Sequence, residues 1–222
     1  MPGLDLEKLR TALRRLGRGD LLVLAERAIK VIPQTKLRTL VGDMVQLDEL
    51  AKGKPSPSLL LKEVRKFHAA SLEGDYYESF GVNSRNFMKK SEGTEMFIDD
   101  FERLVGKCVR AATADPRAQV REAFDLLFEL LRRIDEDPDS VVFFADEAGS
   151  WQVGVDWREV LPAYFRCLAS DMTGEDFARA VDRTISDFEE HERPRHMTAA
   201  RRVANAEQKA ALRRLPARQR RR

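Results

Sequence analysis

Apolar residues recur at every third or fourth position along almost the whole chain, and this spacing restricts its fold more than any other feature. One of the clearest stripes consists of Val120, Phe124, Leu127, Leu131 and Ile134. A period of 3.6 residues is typical of an α-helix with one apolar face. Alternation of apolar and polar residues, which is typical of strands, is almost missing. The pattern predicts an all-α fold of stacked antiparallel helix pairs, as an irregular helical repeat or a bundle.

Two short runs are the only candidates for extended structure. SVVFF (140–144) and WQVGV (151–155) are rich in β-branched and aromatic residues and are joined by a segment with a glycine. They could pair as one short β-hairpin. The alternative is an ordered loop between two helices.

Residues with short polar side chains lie where several apolar stripes begin. Asp20, Ser58 and Asp115 are predicted to cap helices, and Thr94 is predicted to open another. Thr173 is followed by an acid three residues later, which resembles a capping box. These positions divide the chain into about eight helices with short connections.

Composition changes at two places along the chain. GKPSPS (53–58) contains helix-breaking residues, so we expect a sub-boundary at 52–58. Residues 193–222 carry eleven Lys and Arg side chains and one acid, a net charge of +10, whereas the preceding 192 residues have a net charge of −8. We therefore predict a helical domain over 1–192 and a basic tail over 193–222.

Two parts of the chain resemble a known kind of helical region. LDLEKLRTALRRLGRGDLLVLAERAI (4–29) is similar to a helix pair in helical-repeat regions of uncharacterised bacterial proteins, some of them associated with SWIM zinc fingers. AFDLLFELLRRIDEDPDS (123–140), WREVLPAYFRCLAS (157–170) and DFARAVDRTI (176–185) are similar in layout to later helices of such regions. The resemblance implies a helical-repeat architecture. It implies no chemistry, because the Cys and His cluster of the zinc finger is missing.

The segment over 73–94 is the first candidate binding region. Its side chains Tyr76, Tyr77, Asn83, Arg85 and Asn86 combine aromatic rings with polar groups. Long loops in compact domains are often functional, and such a loop could bind a phosphate or a nucleotide base. The alternative is a short helix over residues 82–90 whose neighbouring aromatic side chains belong to the core.

The segment over 143–157 is the second candidate binding region. It contains both tryptophans of the chain, Trp151 and Trp157, together with Asp146 and Asp156. Aromatic and acidic side chains could hold a ligand or a cationic partner. The alternative is that the tryptophans fill gaps between helices and Asp156 caps the helix that follows.

The sequence offers little for catalysis or metal binding. His68 is expected to be semi-buried, His191 and His196 are expected at the solvent, and no two histidines have the spacing of a helical zinc pair. Cys108 and Cys167 lie in apolar helical patterns, which favours core cysteines in a reduced, cytoplasmic protein. No phosphate loop, dinucleotide fingerprint, nucleophile elbow, signal peptide or membrane span is evident. We expect no cofactor and no metal.

The basic tail is predicted to form a weak helix from about residue 198 to residue 215 and then to be disordered. Its apolar stripe is thin, and it contains no aromatic residue. The side chains expected to contact a partner are Arg213, Arg214, Arg218, Arg220, Arg221 and Arg222.

Three functional hypotheses follow from these features. The first is a non-enzymatic α-helical scaffold or adaptor that binds a protein partner. The second is a nucleic-acid-associated factor that docks through the tail, since many unpaired cations give salt-dependent affinity for phosphates. The third is an enzyme that uses the segments over 73–94 and 143–157.

Overall fold

The computed structural model describes residues 13, 16–32, 56–137, 140–145 and 149–215. In these residues the chain forms eight α-helices and two short 3-10 helices, Ser150–Val153 and Glu190–Glu192. The α-helices are α1 (Arg18–Val31), α2 (Pro57–Glu73), α3 (Glu92–Ala111), α4 (Arg117–Glu136), α5 (Trp157–Asp171), α6 (Gly174–Phe188), α7 (Arg193–Val203) and α8 (Ala206–Arg214). The predicted all-α fold is confirmed.

The two runs considered for a hairpin do not pair with each other in the described residues. The first three residues of the second run belong to the 3-10 helix Ser150–Val153. Phe144 of the first run instead forms an isolated antiparallel bridge with Lys90. Gly149 and Gly154 flank the 3-10 helix, and Gly154 has φ 75°, a left-handed conformation that turns the chain away from a strand. This connection is therefore an ordered loop where it is described.

The chain divides into two compact units, Met1–Gly53 and Lys54–Arg222. The division falls within the break expected at residues 52–58. Helix α1 belongs to the first unit, and α2 to α8 belong to the second. In α1 the N-cap is Gly17, and the predicted cap Asp20 lies in the first turn, where its charge favours the helix dipole.

The core of the second unit is built around α4. This helix packs against α2, α3 and α5, and its face with Phe124, Leu127, Phe128 and Leu131 is fully buried. Helix α6 packs against α5, α7 and α8. Buried residues from Leu60 to Leu212 form one hydrophobic cluster, so the second unit has a single core.

Several helices begin at other residues than the sequence pattern predicts. Helix α2 begins at Pro57 after Ser56, because proline suits the first helical position, so Ser58 is not its cap. Helix α3 begins at Glu92, two residues before Thr94, and its cap is Ser91, whose Oγ accepts from the backbone N–H of Thr94 at 3.1 Å. Helix α4 follows Pro116 with no side-chain cap, so Asp115 does not cap it. Thr173 caps α6 as predicted, since its hydroxyl oxygen accepts from the backbone N–H three residues on.

Residues 193–215 differ from the expected weak tail. They form two helices that belong to the second compact unit, with α7 against α5 and α8 against α6. Half of their buried residues are alanines, namely Ala200, Ala204 and Ala211. Small side chains let helices approach closely, so the stripe that is thin in the sequence still packs well. Only residues 216–222 of the predicted tail lie outside the described residues.

Gln208 joins the last helix to the core through hydrogen bonds. Its side-chain oxygen accepts from the backbone N–H of Asn205, and Asn205 Oδ1 accepts from the backbone N–H of Gln208, which completes a capping box. Its side-chain N–H groups donate to Ala169 O at 3.1 Å and to Met172 O at 3.0 Å. These carbonyls lie at the end of α5, where backbone acceptors lack helical partners. The fully buried amide therefore fixes α8 against α5.

Both cysteines are buried and free, as expected for core residues. Burial raises the pKa of the Cys108 thiol and raises the pKa of Cys167 to about 11, so both remain protonated at neutral pH. Among the helices of the described residues, none combines the length and the apolar content needed to cross a bilayer.

Candidate functional site

The two candidate binding segments meet in the folded chain. Lys90 and Phe144 form the antiparallel bridge, and Lys90 Nζ donates to Gln152 O at 3.3 Å. The Thr94 hydroxyl donates to Phe143 O at 2.8 Å. These contacts join residues about 50 to 60 positions apart and bring part of 73–94 against part of 143–157.

Aromatic side chains hold the first segment against the core. The Phe143 ring lies 6.2 Å from the Tyr77 ring and 5.2 Å from the Phe80 ring, both nearly edge to face. The Tyr76 ring packs on Phe97, and its hydroxyl donates to Asp100 Oδ2 at 2.9 Å. Burial and this hydrogen bond raise the pKa of Tyr76, so the phenol stays protonated. Tyr76 is therefore a packing residue, whereas Tyr77 is partly exposed.

Asn83 and Asn86 brace the loop that follows. The backbone N–H of Asn83 donates to Asn86 Oδ1 at 2.7 Å, and Asn83 Oδ1 accepts from the backbone N–H of Arg85 at 2.9 Å. The Asn86 side chain also donates to Gly81 O at 2.8 Å. The loop forms turns and no helix over residues 82–90, so the predicted short helix is wrong. These contacts leave the Arg85 side chain exposed.

A short 3-10 helix carries Trp151 to the surface. Asp135, near the end of α4, accepts from the Ser150 backbone N–H at 2.7 Å and from its hydroxyl at 2.8 Å. The indole packs so closely over Gly149 that a Cβ there would lie 2.6 Å from Trp151 Cδ1. Trp151 is nevertheless 69% exposed. The carboxylate and the glycine fix the turn and leave the ring facing solvent.

The two segments enclose a small groove of about 160 Å³. We call it the Met88–Trp151 groove; its lining consists of Phe87, Met88, Lys89, Lys90, Phe144, Ala145, Trp151 and Gln152. Three of these apolar side chains are unusually open to solvent: Met88 is 81% exposed, Trp151 69% and Phe87 42%. The groove therefore combines exposed apolar surface with two lysines.

Asp156 and Trp157 do not line this groove. Asp156 Oδ1 accepts from the backbone N–H of Arg158 at 2.9 Å and so caps α5. The Trp157 ring stacks on Phe188, with centroids 4.7 Å apart and planes inclined by 13°, and it also contacts Phe128. The packing alternative considered for this segment is correct for these two residues, and the binding role expected for them is not supported by their contacts.

The remaining predicted residues separate into described and undescribed ones. Asp146, Arg218, Arg220, Arg221 and Arg222 lie outside the described residues. Arg214, which was expected to contact a partner, instead pairs within the chain: its Nη1 donates to Glu175 Oε1 at 2.7 Å. Arg213 is exposed.

Buried ionisable groups lie away from the groove lining. The Tyr164 hydroxyl donates to Asp125 Oδ1 at 2.6 Å, and burial raises the pKa of that carboxyl. His196 was expected at the solvent but is only 1% exposed, and neither ring nitrogen has a hydrogen-bond partner in the described part of the chain. Burial lowers the pKa of His196. No group of three or more His, Cys, Asp and Glu in the described ranges could hold a metal ion.

The groove lining lies wholly within the two candidate segments 73–94 and 143–157, but the sequence pattern singles out only Trp151 among its residues. Met88, Lys89 and Lys90 stand in a stretch without helical period, next to the asparagines that drew attention first. Their partners come from residues 144–152, and no local pattern shows such a distant pairing. The signal for the groove in the sequence was a pair of segments that lack the helical period and contain both turn-forming residues and large aromatic side chains.

Comparison of the chain with protein-family models, with curated proteins and with solved structures gives no match.

Proposed function

We propose that this chain is an α-helical adaptor that binds a protein partner at the Met88–Trp151 groove. The observation that carries the proposal is the exposure of Phe87, Met88 and Trp151 side by side. Single exposed apolar residues are common on proteins, but a cluster of them is typical of an interaction surface. Trp is also enriched among residues whose truncation costs most binding energy.

The size of the groove favours a protein partner over a small ligand. Sites for drug-sized molecules usually enclose about 300 to 1,000 Å³, whereas this groove has about 160 Å³. It could accept one or two side chains of a partner. Lys89 and Lys90 stand beside the apolar residues and could meet acidic groups at the rim of such an interface.

The chemistry of the lining favours binding over catalysis. Its polar side chains are Lys89, Lys90 and Gln152, which include no carboxylate, imidazole or thiol. A nucleophile paired with a base is the usual requirement for covalent catalysis. The enzyme hypothesis therefore has less support than the adaptor hypothesis.

The hypothesis that the basic tail binds nucleic acid has less support in the folded chain than in the sequence. Residues 193–215 pack into the second unit, and Arg214 pairs with Glu175. Protein binding through the groove is thus the better-supported function.

Photo-crosslinking tests the proposal. A photoreactive phenylalanine analogue replaces Met88 in one variant and Leu59, an exposed apolar residue of α2 outside the groove, in the control. In an extract of the native cells, we expect an adduct of defined mass from position 88 and none from position 59. Adding Trp151→Ala to the position-88 variant should reduce the adduct strongly, since a truncated aromatic anchor costs about 2 kcal/mol or more. Equal adducts from both positions, or none from either, would contradict the proposal.

A further inference from the structure

A second recess lies between α5 and α7. Its volume is about 420 Å³, and it is lined by Arg158, Pro162, Arg195, Thr198, Ala199 and Arg202. None of these residues lines the Met88–Trp151 groove. We call it the arginine groove because half of its lining side chains are arginines.

The charges in the arginine groove are only partly balanced within the chain. Arg158 donates to both carboxylate oxygens of Glu192, at 3.1 and 2.6 Å. Arg195 donates to the same carboxylate at 3.3 Å. Two guanidinium groups thus share one carboxylate. Arg202 is exposed, and no ion pair is seen for it in the described ranges. Asp156 and Glu189 also lie close enough to act on Arg158, but no acidic side chain of the described residues lines the groove itself, so its lining is positively charged.

The rest of the lining is small and mostly apolar. Pro162 and Ala199 offer aliphatic surface, and the Thr198 hydroxyl donates to Pro194 O within α7 at 2.8 Å. No aromatic side chain lines the groove, although stacking on aromatic rings is the usual means of holding nucleic-acid bases. A segment with carboxylates on one side and aliphatic groups on the other fits this surface better than a single strand of nucleic acid does.

We infer that the arginine groove binds an acidic segment of a protein partner. Carboxylates of the segment contact Arg158 and Arg202, and its aliphatic groups lie on Pro162 and Ala199. Arginine suits this role because its planar guanidinium can donate two parallel hydrogen bonds to one carboxylate. Glu192 holds the side chains of Arg158 and Arg195 in place before the segment binds.

The test measures the affinity of the full chain for a fluorescein-labelled peptide of repeated Glu-Glu-Ala-Leu, about 20 residues long, in about 0.15 M NaCl so that distant charges are screened. Arg202→Glu is compared with Lys209→Glu, which makes the same change of charge on α8 outside the groove. Both substitutions fall on exposed side chains, and circular dichroism checks that the variants are folded.

We expect Arg202→Glu to weaken peptide binding about tenfold or more, because it replaces an attractive contact with a repulsive one. Lys209→Glu should weaken it less than about twofold, since screening limits the effect of a distant charge. Equal losses in both variants would show attraction by net charge alone and would overturn the inference. No binding by the unchanged chain would overturn it too. Tighter binding of a thymidine oligonucleotide of equal length, with the same dependence on Arg202, would identify a nucleic-acid site instead.

Discussion

Trp151 and Trp157 lie six residues apart in the sequence, yet they occupy opposite kinds of environment. Trp157 opens α5 and stacks on Phe188, beside the buried ring of Phe128. Trp151 stands on a 3-10 turn and is 69% exposed. The first belongs to a periodic apolar face that must be covered, whereas the second follows a glycine in a turn without such a face. The difference indicates that the region around Trp157 provides stability, whereas the ring of Trp151 stays open to solvent.

The largest effect on stability is expected for Phe128→Ala, in the buried aromatic cluster beside Trp157. Phe128 is fully buried and contacts the rings of Phe124, Trp157, Tyr164 and Phe188. Its removal leaves a cavity at the centre of this cluster, so the free energy of unfolding should fall by about 3 to 5 kcal/mol. Urea denaturation followed by circular dichroism measures the change. A loss below about 1 kcal/mol would mean that the cluster is loosely packed.

The next largest effect comes from comparing how much stability is lost when each tryptophan is truncated to alanine. Trp157→Ala should lower the free energy of unfolding by about 2 to 3 kcal/mol, less than full burial would give because the ring is only half-buried. Trp151→Ala should change it by about 0.5 kcal/mol or less, as is usual for exposed side chains. The same urea titrations compare both variants. Equal losses of unfolding free energy in both variants would contradict the distinction between the packed region around Trp157 and the exposed region around Trp151.

A smaller effect is expected where Gly149 supports the exposed indole. A methyl group at this position would lie 2.6 Å from Trp151 Cδ1 and 2.7 Å from Nε1, so the ring must move. The φ of Gly149 is 164°, which is extended backbone that alanine also adopts, so the cost should be about 1 kcal/mol or less. Gly149→Ala should therefore shift the emission or the quenching of Trp151 in a Trp157→Phe background. Gly81→Ala, where a methyl group meets open space, is the control. An unchanged Trp151 signal would show that the glycine does not position the ring.

The smallest effect concerns pH and His196 in α7. Because burial lowers the pKa of His196 in the folded chain, the unfolded chain binds a proton more readily, near its usual pKa of about 6.5. The stability of the neutral, buried ring is present above that value and is lost as the pH falls toward the lower folded pKa. Glu189 and Glu192 oppose this shift, whereas Arg158 and Arg195 add to it.

His196→Leu should remove that part of the pH dependence, and the exposed His191→Gln serves as the control. Free energies of unfolding measured from about pH 8 to about pH 5 should fall more steeply for the unchanged chain and for His191→Gln than for His196→Leu. Parallel curves for all three would contradict the buried position of His196.

The sequence predicted the helices because their apolar period is long and regular, as in α4. It also predicted local capping at Thr173 and gave capping by Asp156 as an alternative to a binding role, since these bonds span two or three residues. It predicted helix over residues 198–215 but not the packing of α7 and α8 against the body, because alanines give a thin stripe and the decisive hydrogen bonds run from Gln208 to residues 36 and 39 positions away. For the Met88–Trp151 groove it predicted the two segments but not the pairing of their residues, because non-local contacts bring Lys90 to Phe144 and Gln152.

Acrylamide quenching of single-tryptophan variants tests the central distinction most directly. Trp157→Phe leaves Trp151 as the only tryptophan, and Trp151→Phe leaves Trp157. An exposed indole on a fixed turn should collide freely with acrylamide, whereas one stacked on Phe188 should be shielded. We expect a several-fold larger quenching constant for the variant that keeps Trp151. Equal constants, or a larger one for the variant that keeps Trp157, would contradict an open binding groove beside a closed core.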